Sequence, residues 1–569
     1  MRIKILRVIT IFLFLLIVTE LIYIQLIRGN YFYILSKNNR IRVVPMEGRR
    51  GRILDRNNLI LADNRGSFNV TIVPQEVKNP EELFNFLGNT LEINPDKLLR
   101  IYQQKVFAPF APVAVAEDIS REKAIIIEEN VFRFPELTVQ EISRRVYPFG
   151  RASAHVLGYV GKINQLKAEE MKEYGYTTQN IVGYSGIEEF YDRYLQGQPG
   201  GLQIEVNSRG QQVRLLSFKE PSVGEDVMLT IDERIQQIAM ELLAERKGAI
   251  VVMDMNSGEI LGLASSPAYD PNVFVRNISS EISGVVSAEG SPLLNRAIRG
   301  QYPPGSVFKL PVAMCALDAG KIFPGLTFDC PGYYRLGNSE FGCTHVHGNQ
   351  DLTGAIAHSC NVYFYHVGLI AGPELIHRYA RILGLGEKTK VDLPYEASGF
   401  IPSPQQRRVD QHRAWYKGDT LNFSIGQGDV LATPIQLTKM MAILGNNGKV
   451  YQPHLLKSVG SSPVSQTQER LISMNPKTLE ALQIGMAATV RDPSGTANIL
   501  DIPGLFISGK TGTAQSSRPG EHHAWFAGYC LTNKAKLAFC VFLEFGGSSH
   551  NACEIAHDLL VRIQEAQIL

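Results

Sequence analysis

The sequence has very little net charge: 57 basic residues face 55 acidic ones, a formal +2. So even a balance argues against a nucleic-acid binder, which needs a basic surface. Cysteine is scarce, at seven in 569 residues. Four of the seven fall between Cys315 and Cys360, a distribution too sparse and uneven for a disulfide framework. There is no internal repeat, which excludes a solenoid, and no low-complexity tract. After residue 30 no apolar run is long enough to cross a bilayer, so that whole stretch reads as one ectodomain. The whole chain's 44% hydrophobic and 20% charged residues are ordinary for globular structure. At about 100–200 residues per domain, two or three domains are expected.

The first residues do contain a long apolar run. Arg2, Lys4 and Arg7 precede Val8–Ile27, which is apolar apart from Thr10, Thr19, Glu20 and Gln25. About 20 residues of helix span a bilayer core. No small-residue cleavage site follows, so residues 1–7 read as a cytoplasmic tail and 8–28 as an uncleaved anchor. Glu20 fits either the outer interface or a polar contact to a partner helix.

Texture divides the remainder at about residue 225. Ile41–Asn69 reads as short strands, and Glu81–Gln104 and Arg121–Asn130 as helices. Lys167–Tyr174 and Gly186–Leu195 also read as helical. Gly197–Gly201 is a break and Val213–Gly224 a connector. Beyond it, Val227–Ile231 is a strand and Asp232 starts a helix reaching about Glu245. Ala249–Asp254 and Ile260–Ala264 form a hairpin. Helices are expected to dominate from Ser306 to Ile382. Phe506–Lys510, Ala524–Cys530 and Lys536–Phe545 read as strands, and Asn551–Ala566 as a last helix. Strands at both ends with helices between imply one α/β domain over 226–569, its sheet closed by distant segments. Residues 29–225 form a separate α+β region.

Three short motifs carry chemistry. In Tyr302-Pro-Pro-Gly-Ser306-Val-Phe-Lys309, the two prolines and the glycine place Ser306 at a helix start, where N–H groups favour developing negative charge. Lys309 lies one turn on, on the same face. With its pKa lowered by burial it could take the hydroxyl proton. Pro311 predicts a local kink. Alone the pair is weak, because Ser120 and Lys123 share its spacing. Ser359-Cys360-Asn361 is weaker, since Ser67/Asn69, Ser473/Asn475 and Ser549/Asn551 match it. Lys510-Thr511-Gly512-Thr513 occurs once, and Gly512 leaves room for close backbone approach.

In this order and spacing the motifs resemble those of penicillin-binding proteins and serine β-lactamases. Trp415–Thr420, Ser424–Gly428, Val146-Tyr147-Pro148, Arg50–Asn57 and Gly183–Glu188 resemble the class B penicillin-binding proteins, over nearly the whole chain. His347-Gly348 and Asp419–Asn422 are most similar to the elongation-specific penicillin-binding protein 2 group; the division-specific group is the nearest competitor. The resemblance implies an antiparallel sheet flanked by helices, with residues 29–225 as a non-catalytic, dimerisation-type pedestal.

It further implies a D,D-transpeptidase that cross-links peptidoglycan stem peptides during elongation and shape maintenance, with penicillins as inhibitors. Ser306 would be the nucleophile, Lys309 its base and Ser359 a proton relay. Asn361 would bind the substrate peptide and Lys510 keep the site electropositive. Thr511, Gly512 and Thr513 would form the carboxylate site. Implied partners are stem peptides, β-lactams and a SEDS-family (RodA-like) glycan polymerase. The implied location is the cytoplasmic membrane, single-pass, with the catalytic domain outside. Asp419 and Ser424–Gly428 could act at the site or only shape the fold. A β-lactamase would lack the N-terminal half, and a β-lactam sensor would carry several spans. A D,D-carboxypeptidase shares the triad, and a scaffold for a polymerase remains a reading from another class.

Cys330, Cys343, His347 and Cys360 are zinc-type ligands within about thirty residues. Pro331-Gly332-Tyr333 and Gly337-Asn338 supply turns that could gather them. Some penicillin-binding protein 2 relatives hold zinc here with Asp, Asp, His and Cys, so this sequence departs in ligand type. A disulfide with a spare thiol is the competing reading, and His345 competes with His347.

Overall fold

The computed structural model describes residues 2–33, 41–46, 48–106, 112–171, 173, 176, 180–206, 212–244, 246–463 and 470–569. They form two compact units. The smaller comprises Met1–Arg50, Asn64–Arg144 and Gln196–Gly224; the larger comprises Gly51–Asp63, Arg145–Leu195 and Glu225–Leu569.

In the larger unit Asp232 caps helix α1 (Glu233–Leu243), its carboxylate accepting from the Arg234 N–H at 3.1 Å. The end expected at Glu245 lies outside the described residues. Strands β1 (Gly248–Asp254) and β2 (Ile260–Ser266) pair antiparallel, as their turn signal implies. Helix α2 (Lys309–Asp318) follows a 3-10 turn over Gly305–Phe308. The segment after it departs from the helical expectation. Phe328–Gln350 holds four short strands: β3 (Phe328–Cys330), β4 (Tyr333–Leu336), β5 (Ser339–Gly342) and β6 (Gly348–Gln350). Strand β3 pairs with β6 and β4 with β5. Gly332, Gly337 and Gly348 hold φ of +95°, +60° and +64°, and such turns break any helix.

Helices α3 (Leu352–Ala357), α4 (Asn361–Ala371), α5 (Pro434–Gly445) and α6 (Pro476–Arg491) come next. Then come β7 (Phe506–Gln515), β8 (His522–Leu531), β9 (Lys536–Leu543) and α7 (Ser549–Glu565). The main sheet has the order β2-β1-β9-β8-β7, every pair antiparallel. Segments more than 200 residues apart in sequence thus close one sheet, as expected.

Side-chain alternation explains the layers. On β9, Leu537, Phe539, Val541 and Leu543 pack with α1 and α7. Ala538, Cys540 and Phe542 point the other way, into the core of α2, α4 and α5. Both faces of β9 are therefore covered, and it reads as an unbroken apolar run. Full burial of one such large side chain is worth about 1.5–3 kcal/mol. Strand β7 runs five residues past its expected end at Lys510, because Gly512 and Thr513 pair with Trp525 and Ala524 of β8.

In the smaller unit, helices Pro80–Leu91, Pro95–Lys105 and Arg121–Glu129 are capped by Asn79, Asn94 and Ser120. They cover a core of Val70, Ile72, Leu83, Leu87, Leu98, Val113 and Ile127. The connector expected at Val213–Gly224 is instead largely a strand, Gln212–Lys219, paired with Gly200–Val206, which in turn pairs with Ile41–Met46. Its β-branched and apolar residues take up the pairing that Gly200–Val206 offers. The helix expected over Lys167–Tyr174, in the larger unit, spans Gln165–Glu170, and its expected end lies outside the described residues.

Among the described residues one helix is long and apolar enough to cross a membrane, Ile3–Ile27 with 25 residues. Thr10 and Thr19 donate to the Leu6 and Leu15 carbonyls at 2.9 and 2.7 Å. Their hydroxyls are thus satisfied within the helix, as an apolar setting requires.

Candidate active site

Three glycines permit the junction on which the site rests. Gly305 sits at φ +55°, and a Cβ there would lie 2.7 Å from the Thr513 carbonyl. A Cβ on Gly426 would lie 2.2 Å from the Gly305 carbonyl, and one on Gly512 would lie 2.7 Å from that of Pro304. The Gly305 N–H donates to Gly426 O at 3.0 Å, and Trp525 Nε1 donates to Pro303 O at 3.0 Å. The turn carrying Ser306 is therefore held directly against edge strand β7. The kink expected at Pro311 falls slightly earlier, where the 3-10 turn becomes α2. A proline clashes with the carbonyl four residues back, which here belongs to Val307 in that turn.

Lys309 is fully buried. Its Nζ donates to Ser359 O at 2.7 Å, Ser359 Oγ at 3.2 Å and Asn361 Oδ1 at 2.7 Å. Ser359 holds φ +57°, the left-handed region. A non-glycine residue there costs about 1–2 kcal/mol and marks a constrained turn. That turn lies between α3 and α4 and aims both the carbonyl and the hydroxyl of Ser359 at the ammonium. Asn361 is fixed from both ends, because its Nδ2 donates to Gly342 O at 3.2 Å. Burial pushes Lys309 down to about 8, against the smaller opposing pull of the nearby cysteines.

Lys510 is also fully buried. Burial, reinforced by the charge of Lys309, holds it well below the usual lysine range. Its Nζ donates to Thr511 O and Thr511 Oγ1, both at 3.3 Å. Thr513 Oγ1 accepts from the Ser549 N–H at 3.3 Å. Sequence reasoning missed Thr496, whose Oγ1 lies 2.9 Å from Thr511 Oγ1. No sequence signal marks it, because the contact joins residues fifteen apart across a loop.

Cys330, Cys343, His347 and Cys360 converge, their ligand atoms all within 4.8 Å of one another. Cys330 Sγ and Cys343 Sγ lie 3.5 and 3.4 Å from His347 Nδ1, and Cys343 Sγ lies 4.0 Å from Cys360 Sγ. His347 supplies the ring; His345 contributes its carbonyl, which accepts from Cys330 Sγ. All seven cysteines are free thiols. The hydrogen bond between them holds the Cys343 thiol down and pushes that of Cys360 up. The cluster touches the lysine cradle, since the Asn361 N–H donates to Cys343 Sγ at 3.1 Å.

The coincidental Ser120/Lys123 pair, in the smaller unit, has an ordinary structural setting. Ser120 caps a helix by accepting from the Lys123 N–H, and Lys123 Nζ bonds Leu91 O and Glu92. Asp419 has a structural setting: it closes a capping box with Tyr416 and pairs with Arg407 at 2.9 Å. The Ser424–Gly428 loop does reach the site, through Gly426 and through Gln427 Nε2, 3.5 Å from Thr513 O. Three further resemblance motifs meet in a buried network outside it. Arg145 Nε donates to Glu188 Oε1 at 2.6 Å and Arg145 Nη1 to Gly51 O at 2.7 Å, while Tyr147 Oη donates to Glu188 Oε1 at 3.2 Å.

A buried lysine gripping a strained Ser-x-Asn turn, below a serine turn wedged against a Lys-Thr-Gly edge strand, is the layout of an active-site serine acyltransferase of the penicillin-recognising kind. Comparison with known proteins agrees. Residues 248–561 match the penicillin binding protein transpeptidase domain, and residues 45–229 match the penicillin-binding protein dimerisation domain. The peptidoglycan D,D-transpeptidase MrdA of Escherichia coli K12 is 33% identical over 93% of this chain and 89% of its own length. The structure of PBP2 bound to MreC from Helicobacter pylori superposes with TM-score 0.83 at 30% identity, over 93% of this chain and all of that one. A peptidoglycan synthase complex that coordinates polymerization and crosslinking gives TM-score 0.76 at 29% identity, over 99% and 98%. The chain belongs to the penicillin-binding protein transpeptidases, in the group of MrdA and PBP2. It is a serine-type peptidoglycan D,D-transpeptidase of cell-wall elongation.

Proposed function

We propose that Ser306 is the nucleophile of this transpeptidase and that Lys309 is its base. Ser306 Oγ attacks the carbonyl of a terminal D-Ala–D-Ala bond while neutral Lys309 takes its proton. The C–N bond then breaks, and Ser359 passes a proton to the departing D-alanine amine. An amine of a neighbouring stem peptide then attacks the acyl carbonyl; the C–Oγ bond to Ser306 breaks, and the proton lost by the amine returns to Ser306 Oγ as the new amide forms. The N–H groups of Ser306 and Thr513 face the developing oxyanion, at about 3–4 kcal/mol per donor. Asn361 holds the substrate peptide. The Thr511-Gly512-Thr513 segment, beside Lys510, takes the terminal carboxylate, whose charge offsets the burial of that ammonium. The observation that carries the reading is the grip of buried Lys309 on Ser359 and Asn361, one turn from Ser306. Intact-mass analysis and peptide mapping after a labelled penicillin test it: one adduct is expected, on Ser306, and none in Ser306→Ala. An adduct on another serine, Ser120 included, would refute the assignment.

The Cys/His cluster suits zinc. A tetrahedral site with the usual bond lengths puts sulfur and nitrogen about 3.5 Å apart and two sulfurs about 3.8 Å apart. The separations of 3.4, 3.5 and 4.0 Å fit that donor set. Cys330, Cys343, His347 and Cys360 would hold the ion. Its contribution would be structural, clamping the β3–β6 segment to the start of α4 and so fixing Asn361.

Residues 29–225 act as the pedestal and 226–569 as the transpeptidase domain, a division in keeping with the two matched family domains, although Gly51–Asp63 and Arg145–Leu195 fold into the same compact unit as the catalytic residues. Val8–Ile27 anchors the chain once in the cytoplasmic membrane, with the catalytic domain outside, and Glu20 and Gln25 meet a partner helix. A SEDS-family glycan polymerase is the partner, in keeping with the synthase complex to which this chain is similar.

A further inference from the structure

The loop between α6 and β7 carries Asp492, Ser494 and Thr496, and none of these belongs to a recognised motif. Thr496 is exposed, whereas Thr511 is buried beneath it. Two contacts hold the Thr496 hydroxyl. Thr496 Oγ1 lies 3.2 Å from Ala357 O, which can only accept. It also lies 2.9 Å from Thr511 Oγ1. Thr511 Oγ1 in turn accepts from Lys510 Nζ at 3.3 Å. The result is one connected chain of hydrogen bonds from Lys510 through Thr511 and Thr496 to Ala357.

Ala357 is the last residue of α3, two before the strained Ser359. Its carbonyl is among those a helix end leaves without an intrahelical partner. Thr496 satisfies it twice, since its N–H also donates there at 3.2 Å. The loop is fastened a second time, where His358 Nε2 meets Ser494 Oγ at 2.9 Å and Ser494 Oγ donates to Asp492 Oδ1 at 2.6 Å. Gly495 allows the tight path, because a Cβ there would lie 2.4 Å from Thr489 O.

We propose that Thr496 is a positioning residue that ties the Lys510–Thr513 strand to the Ser359 turn and fixes the rotamer of Thr511. This rests on the proposed roles of those two segments. Thr496 acts through Thr511 on the substrate carboxylate, and through Ala357 on the Ser359 turn.

The test is acylation kinetics of the full chain in detergent with a fluorescent penicillin, resolving the binding constant from the acylation rate constant. Thr496→Val keeps shape but removes both hydroxyl bonds, and should lower acylation efficiency about five- to tenfold, the size of one to two lost hydrogen bonds. The loss should fall mainly on the binding constant, with the melting temperature unchanged, and Thr496→Ser should restore most of it. Thr511→Val should lose a similar factor, and the double variant no more than either single one, because the two hydroxyls act as a unit. A Thr496→Val within twofold of wild type, additive effects in the double variant, or a Thr496→Val that fails to fold would each overturn the proposal. Wild-type protein that forms no adduct at Ser306 would instead refute the underlying site assignment.

Discussion

At the scale of single residues the site depends on how two lysines are kept. As the proposed base, Lys309 must be neutral to accept the proton of Ser306, and burial pushes it down to about 8. A base with a depressed pKa is protonated below that value and free above it. Penicillin acylation should therefore rise with pH, roughly tenfold per unit below about 8, and level off above it. Stopped-flow acylation rates from pH 6 to 9.5 check this; a flat profile between 6 and 8 would remove Lys309 as the base. The Ser-x-x-Lys spacing marked this lysine, but the same spacing marked Ser120 and Lys123 equally well. What separates them is environment. One serine opens a turn wedged against β7, while the other caps an ordinary helix in the smaller unit.

At the scale of elements, the β3–β6 segment decides how Ser359 and Asn361 are presented. Its ligand residues were legible from their types and from the glycine turns between them. Its strands were not, because each is only three or four residues long. Periodicity cannot be read over so short a run. If zinc clamps the segment, purified protein should hold about one zinc per chain. Removal by a strong chelator should lower the melting temperature and slow acylation, and Cys360→Ser should do both without chelator. Metal well below stoichiometry in wild type, with a mapped Cys330–Cys343 disulfide, would end the zinc reading. The Gln212–Lys219 strand was missed for another reason. Its pairing partner begins inside the Gly197–Gly201 break, and an isolated run of mixed residues carries no strand signal until a neighbour supplies its hydrogen bonds.

At the scale of the whole molecule, the N-terminal helix and the catalytic chemistry should separate. A chain beginning at residue 45 should leave the membrane fraction yet keep penicillin acylation within about twofold of the full chain. It should also lose co-purification with the glycan polymerase in detergent. A truncated chain that stays membrane-bound, or a full-length one that fails to co-purify with intact polymerase, would argue against the anchor or the partner, respectively.

The sequence by itself determined the apolar span, the α/β character of the catalytic region and the three motifs in their order. All of these are local: each is written in a run of neighbouring residues, as periodicity, a turn signal or a fixed spacing. The tertiary structure alone decided that the Ser306–Lys309 turn meets the other two motifs, that Gly305, Gly426 and Gly512 meet at one junction, and that Thr496 spans two motifs. These depend on segments more than two hundred residues apart closing one sheet and one loop cluster. Burial, the glycine approaches and the hydroxyl contacts of Thr496 exist only once those distant segments are in contact.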